Sequence, residues 1–293
     1  MLLLTPKNFS DYELIDSGDF EKLERWGSYI TCRPEPQALW AKRLPQKEWD
    51  KTMHVRFVAK SSSSGVWHKN KDMPDRWMIK YNTNAIDGNL AFRLALTSFK
   101  HVGLFPEQAV NWDYIYQSVK ALKTKEPKFL NLFAYTGAAS IAAKAAGADV
   151  VHLDSIKQVV TWARENMEHS GLDNIRWVVE DAVAFVKREV KRGKKYNGII
   201  LDPPAFGHGP NGENWKLEDM VYNLMRDVKS LLSEDEHFLI LNTYSLGFSS
   251  LIIENIFEDF FPGRQTETGE IFLKSSTGQK LPLGVLGRMK KQL

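Results

Sequence analysis

The spacing of apolar positions changes character near residue 110. Before it, short runs rich in aromatic and β-branched residues alternate with turns. The runs are YELIDSG (12–18), GSYITCR (27–33), MHVRFVA (53–59), RWMIKY (76–81) and LAFRLAL (90–96); the turns include RPEP, SSSSG and NTNAIDGN. Short strands at such close spacing predict a small antiparallel sheet or partial barrel, with the serines at 61–64 as a flexible loop tip. After residue 110 the period lengthens. VNWDYIYQSVKALK (110–123) puts Val110, Tyr114, Val119 and Leu122 on one face of a helix, which Pro127 stops before a strand at 129. The pattern then predicts helix 137–146, strand 149–153, helix 155–169, strand 175–180, helix 181–192 and strand 197–202. Helix 217–232, strand 236–242 and a helix around 249–260 follow. Repeated βα units with short connections predict a parallel, Rossmann-like α/β sheet covered on both faces. The tail EIFLKSSTGQKLPLGVLGRMK (270–290) predicts a hairpin turning on STGQ. The expected organisation is a small β-rich N-terminal domain over 1–90, a connecting loop and helix over 91–125, and the α/β domain over 126–293.

Composition narrows the classes. The chain has 293 residues, 43% hydrophobic and 26% charged, which is near the globular norm. No apolar run reaches the roughly 18 residues of a membrane span, and MLLLTPKNF lacks the basic region of a signal peptide. Cys32 is the only cysteine, so an internal disulfide and a cysteine-based zinc cluster are excluded; the residue reads as a small buried apolar one. A cytoplasmic protein is expected, and a homodimer is left open. Seven histidines are scattered without ligand spacing, so no metal site is expected. Neither a Walker-type loop nor a G-x-S-x-G elbow occurs. The net charge of +3 is modest but uneven: VKREVKRGKK (186–195) carries six basic residues against one acid, and the chain ends GRMKKQL. These are either solvated helix ends or a rim that contacts phosphates. Five of the nine tryptophans (Trp26, Trp40, Trp49, Trp67 and Trp77) fall in the front region, as the core of a β domain or as a stacking platform for single-stranded RNA.

Candidate chemistry starts at FLNLFAYTGAASIAAKAAGADVVHLD (129–154), a strand, a turn, a helix and a second strand ending in an acid. A dinucleotide site would show G-x-G-x-x-G, whose glycines let the backbone approach a pyrophosphate. Here a single glycine, Gly137, stands among Tyr135, Thr136 and Ala138. That suits a close ligand without a pyrophosphate, such as S-adenosylmethionine, whose methionine end carries a carboxylate and an amine. Asp154, 17 residues after Gly137, can accept both hydroxyls of a ribose or cap the next helix. Asp181, at the end of WVVEDAVAF, can accept from an adenine amine, cap a helix, or do both. The most specific segment is NGIILDPPAFGHG (197–209), a strand ending in Asp202-Pro203-Pro204. Two prolines stiffen the turn and are expected to turn local carbonyls to the cleft. Asp202 and a prolyl carbonyl can hold an NH2 group, and Phe206 can stack on the base that carries it. Such a transfer depends on alignment of acceptor and methyl donor. The following loop, GHGPNGENW, contains His208 and is expected to be a mobile lid.

NLFAYTG, Asp154, Asp181 and LDPPAF together resemble the class I S-adenosylmethionine-dependent methyltransferases. The nearest branch is that of the bacterial large-subunit rRNA methyltransferases of the I and K-L type. TSFKHVGLFPEQAVNWDYI (97–115) is similar to the segment that folds over the cofactor in that branch. The resemblance covers about residues 95–293. It implies S-adenosylmethionine contacts from Phe105, Gln108, Tyr135, Thr136, Gly137 and Ala138, from Asp154 with Ser155, and from Asp181 with Ala182. Asp202 and Pro203 would lie at the transfer cleft with Pro204 and Phe206. In the amine-methylating pattern the aromatic directly follows the prolines, whereas here Ala205 intervenes. The cytosine-5 members use a cysteine thiolate, in place of which LNTYSLG (241–247) offers Thr243, Tyr244 and Ser245. The expectation is therefore methylation of an exocyclic amine on an RNA base. A small-molecule or protein acceptor, a non-catalytic cofactor-binding module and an NAD oxidoreductase are the alternatives.

Overall fold

The structure, a computed structural model, describes residues 1–61, 64–244 and 247–291; the middle of the tetraserine segment and Ser245 lie outside them. The front region opens with β1 (Leu2–Leu4), β2 (Tyr12–Gly18), β3 (Glu21–Trp26) and β4 (Tyr29–Pro34). It continues with α1 (Gln46–Thr52), β5 (Val55–Ala59), β6 (Gly65–Lys69), β7 (Arg76–Tyr81) and β8 (Leu90–Ala95). Strands β2 to β6 form a five-stranded sheet in chain order, and β7 pairs with β8 as a separate hairpin. In β7 the alternation is strict: Trp77, Ile79 and Tyr81 are buried while Arg76, Met78 and Lys80 face solvent, the period of a half-buried strand.

A 3-10 turn at Pro106–Gln108 leads into α2 (Ala109–Ala121) and β9 (Lys128–Leu132). Then come α3 (Ala138–Ala145), β10 (Asp149–Asp154), α4 (Lys157–His169), β11 (Ile175–Val179), α5 (Ala182–Lys191) and β12 (Gly198–Leu201). The short strands β13 (Phe206–His208) and β14 (Asn214–Lys216) precede α6 (Leu217–Lys229) and β15 (His237–Thr243). The chain finishes with α7 (Ser250–Phe260), β16 (Thr266–Lys274) and β17 (Lys280–Lys291). The main sheet has eight strands in the order β1-β16-β17-β15-β12-β9-β10-β11. Only β17 runs antiparallel to its neighbours. Strands β12 and β15 are buried along their whole length, as a parallel sheet covered on both faces requires. The C-terminal ends of β9, β10, β12 and β15 therefore share one edge, where α/β sheets place ligands.

Two arrangements differ from the sequence reading. The N-terminal residues, expected with the front sheet, extend the main sheet: Leu2 pairs with Gly269, where a Cβ would stand 2.0 Å from the Leu2 carbonyl oxygen. The front region also shares most of its core with the main sheet; Leu23, Cys32, Trp49 and Met53 form a small cluster of its own. Trp26, Trp77, Tyr81 and Phe92 join Phe129, Val150, Ile200 and Ile240 of the main sheet in one apolar cluster. The second cluster packs the opposite face under α5, α6 and α7. The boundary drawn at residue 90 falls at the start of β8, whose partner β7 precedes it. Trp26, Trp49 and Trp77 are buried, so the core reading holds for them rather than the stacking platform. No helix among the described residues is long and apolar enough to cross a membrane.

Asp16 fastens the front sheet to the C-terminal hairpin. Its fully buried carboxylate accepts from the Arg43 and Leu44 backbone N–H groups, from the Trp49 indole at 3.0 Å and from the Thr277 hydroxyl at 2.8 Å. Asp16→Ala would strand those donors at a cost of about 1–3 kcal/mol each for the most deeply buried. A loss of roughly 3 kcal/mol or more in urea denaturation is expected, and a change under about 0.5 kcal/mol would contradict this role.

Candidate active site

The turn after β9 organises the edge. Phe133 (φ 58°), Tyr135 (φ 50°) and Gly137 (φ 89°) are all left-handed, a conformation uncommon for side chains other than glycine. Several hydrogen bonds hold it. Ala134 N–H donates to the Leu153 carbonyl at 3.0 Å, and Tyr135 N–H donates to Asp154 Oδ2 at 2.9 Å. A Cβ at Gly137 would lie 2.9 Å from Ala163 Cβ. Glycine there serves the turn and the contact between α3 and α4, not only the approach of a ligand. The first N–H groups of α3 have no carbonyl partner within the helix and can face an anion.

Residues 96–108 form a strap over this turn. The Thr136 hydroxyl donates to the Gly103 carbonyl at 2.6 Å, the Phe105 ring lies 5.3 Å from the Tyr135 ring, and Gln108 Oε1 accepts from Asn111. The structure thus brings Phe105, Tyr135, Thr136, Gly137, Ala138 and Asp154 together. Thr136 is buried with its hydroxyl engaged on the strap and its carbonyl accepting from the Asn166 amide at 2.9 Å, which leaves only its backbone N–H for a ligand. Behind the turn lies a buried polar chain that sequence reasoning missed: Asn131 donates to Ser140 Oγ, which is 3.0 Å from His152 Nδ1. Burial lowers the His152 pKa to about 3, so the ring is neutral. The residue looked like one more scattered histidine, and its apolar strand VVHLD was the only available signal.

Three carboxylates stand at successive strand ends. Asp154 accepts from Tyr135 N–H and, at 3.0 Å, from Ile156 N–H; burial raises its pKa despite these donors. Each oxygen keeps capacity for one more donor, which is what a ribose diol needs. Asp181 caps α5, its Oδ1 accepting from Ala184 N–H at 2.8 Å, and Ala182 is buried beside it. Asp202 follows β12, and Asn242 of β15 donates to its Oδ1 at 2.8 Å. Burial pushes the Asp202 pKa up to about 6.

The proline turn is more selective than expected. The Pro204 carbonyl accepts from the Trp215 indole at 2.6 Å and the Ala205 carbonyl from Leu217 N–H at 3.0 Å. The Pro203 carbonyl, by contrast, accepts no hydrogen bond from the described residues. The segment expected to be a mobile lid is the β13–β14 hairpin, closed by Gly209 N–H on the Glu213 carbonyl. It reaches across the edge: Ser155 Oγ donates to the His208 carbonyl at 3.3 Å, and Trp215 lies 5.0 Å from the Phe133 ring. Phe206, on β13, is 69% exposed.

The basic segments lie elsewhere. Lys195 and Lys291, from the two runs singled out in the sequence, meet Lys229 and Arg264 around a concavity of about 440 Å³ near the start of β15, at the edge opposite the carboxylates. Cys32 is fully buried, and burial pushes its thiol up to about 12.

A buried ion network of the front sheet does approach the site, and the sequence did not reveal it. Arg33 grips Glu24 with two bonds of 2.7 and 2.9 Å and donates to the Lys100 carbonyl of the strap at 3.0 Å. Lys22 lies 3.1 Å from Glu35, whose other oxygen accepts from the Tyr244 hydroxyl at 2.9 Å. Glu107, buried among these groups, has its carboxyl raised to about 7, chiefly by burial.

A ligand carrying a carboxylate, a ribose diol and an amine-bearing base fits this donor and acceptor set: the α3 N-terminus, Asp154 and Asp181 in turn. The comparisons with known proteins identify the family. Residues 54–258 match the model of a family described as S-adenosylmethionine-dependent methyltransferase. A SAM-dependent methyltransferase structure from Agrobacterium tumefaciens is 33% identical with a TM-score of 0.90, covering 99% of this chain and 93% of that one. A methyltransferase structure complexed with SAH is 17% identical with a TM-score of 0.74, over 97% and 76% of the two chains, a likeness of fold. Ribosomal RNA large subunit methyltransferase K/L from Shewanella frigidimarina is 30% identical over 155 residues, 52% of this chain but only 21% of that much longer protein.

Asp154→Ala should raise the Kd for S-adenosylmethionine at least roughly tenfold in a calorimetric titration, since it removes a charged hydrogen-bond acceptor and loosens the Tyr135 turn. An unchanged Kd would count against the ribose assignment.

Proposed function

Because the chain belongs to the S-adenosylmethionine-dependent methyltransferases, we propose that it methylates an exocyclic amine on a base of RNA, with rRNA as the first candidate. The observation that carries the reading is the pairing of Asp202 with the Pro203 carbonyl at the end of β12, two acceptors suited to the two hydrogens of an NH2 group. S-adenosylmethionine supplies a methyl group activated by its sulfonium. Asn242 fixes one oxygen of Asp202 and leaves the other for the acceptor. Bound between Asp202 and Pro203, an amine is oriented with its lone pair outward, and orientation of this kind supplies most of the effect. With its pKa near 6, Asp202 can also receive the proton that the methylated nitrogen sheds. Phe206, exposed beside the turn, would pack on the base.

The relatives named as rRNA methyltransferases support an RNA acceptor, which would also place the protein in the cytoplasm. The inert Cys32 thiol argues for an amine rather than cytosine C5. A small-molecule or protein acceptor is the second reading, favoured by one observation: the basic runs lie away from the carboxylate edge.

Labelled methyl transfer to RNA lacking the modification, with nucleosides resolved after digestion, tests the proposal. Label in an N-methylated base is expected, and label at cytosine C5 or in no RNA would contradict it. Asp202→Ala should cut turnover at least about 100-fold while cofactor affinity is largely kept. An ionised Asp202 is needed to accept from the amine, so kcat/KM should fall as pH drops through about 6. Stability runs the other way. The folded pKa exceeds the unfolded value of about 4, so ionisation weakens the fold as pH rises between the two. Asp202→Asn should therefore stabilise the protein on the order of 1–2 kcal/mol above pH 6, after allowance for solvent screening. It should add nothing below pH 4. An equal change in Tm at both pH values would contradict this account.

A further inference from the structure

Tyr244 occupies a position that the cofactor chemistry does not explain. It directly follows β15, two residues after Asn242, the side chain that holds Asp202. The register of β12 against β15 sets Leu201 opposite Leu241, so Tyr244 emerges just beyond the level of Asp202 and Pro203. The residue is 37% exposed, and its ring is paired with no other ring among the described residues. Its hydroxyl nonetheless donates, at 2.9 Å, to Glu35, which directly follows β4 of the front sheet and is only 2% exposed. Glu35 cannot drift. Lys22 holds its second oxygen at 3.1 Å, and its backbone N–H donates to the Phe20 carbonyl at 2.7 Å.

A partly exposed tyrosine has two side-chain torsions to fix. Tying the hydroxyl to a buried carboxylate fixes both, through a charge-assisted bond. We propose that Tyr244 is a wall of the acceptor site, aimed by Glu35, so that the front sheet sets how a planar acceptor is presented to Asp202. This rests on the reading that the acceptor binds at Asp202 and Pro203. The open face of the ring is the flat apolar surface on which an unstacked base lies. The phenol is not a base in this scheme. Burial and the Glu35 charge raise its pKa, so it stays neutral and donates. Glu35 remains the acceptor: burial pushes its pKa up, but Lys22 and Lys100 outweigh that and hold it below the usual range.

The test compares wild type, Tyr244→Ala, Tyr244→Phe, Glu35→Gln and the Tyr244→Phe/Glu35→Gln double variant. The readouts are Kd for S-adenosylmethionine and methyl transfer to whichever fraction of an extract lacking the enzyme takes label from wild type: RNA, protein or small molecules. Label outside RNA would sink the RNA reading yet leave the Tyr244 comparison intact. Tyr244→Ala should lower kcat/KM for the acceptor roughly 10- to 100-fold with cofactor Kd unchanged, the span expected for losing one stacking ring. Tyr244→Phe and Glu35→Gln should each lose roughly 5- to 10-fold, and the double variant no more than the worse single one, because both break the same bond. Tyr244→Phe leaves the buried ions in place and carries the test should Glu35→Gln fail to fold. Acceptor kcat/KM within twofold of wild type for Tyr244→Ala would overturn the proposal. Multiplicative losses in the double variant would overturn the aiming by Glu35.

Discussion

The hydrogen bond from Tyr135 N–H to the Asp154 carboxylate is the constraint on which the site depends. It closes a turn with two non-glycine residues left-handed, at Phe133 and Tyr135, and so fixes where α3 begins. The same turn receives the strap through Thr136 and Gly103 and the hairpin through Phe133 and Trp215. One half-buried acid thereby sets the floor and roof of the groove before any ligand arrives, and keeps acceptor capacity for the ligand. The arrangement is a preorganised one: the cost of partly burying Asp154 falls on folding rather than on binding.

The second organising element is the ion network of the front sheet. Buried ion pairs contribute little net stability once desolvation is counted. Their directions matter more here. Arg33 reaches the strap that covers the cofactor turn, and Glu35 reaches Tyr244 beside Asp202. A sheet with no residue in the sequence motifs thus touches both halves of the site. The family match begins at residue 54, before the resemblance expected from residue 95, and takes in the strands β5 to β8.

Much of the main sheet was legible because its signals are local. Each predicted helix and strand from residue 109 to 260 is present within a few residues, and the STGQ hairpin joins β16 to β17. The acids were legible for the same reason: Asp154, Asp181 and Asp202 each close an apolar strand. The rest depends on contacts distant in sequence. Nothing near Leu2 announces Gly269 as its partner, and nothing near Glu35 announces Tyr244, 209 residues later. GHGPNGENW reads as a loop because glycine and asparagine dominate it; its strand pairing rests on Trp215 reaching back to the Pro204 carbonyl. That bond also removes one of the carbonyls which two adjacent prolines promised to the cleft. Thr136 lies in the predicted ligand loop, but its hydroxyl went to the strap.

The most direct measurement is a crystal structure of the protein with S-adenosylhomocysteine. The account predicts both ribose hydroxyls on Asp154, the adenine amine at Asp181, and the sulfur facing the floor made by Asp202 and Pro203. Ribose hydroxyls bound away from Asp154, or a sulfur turned from Asp202, would contradict it.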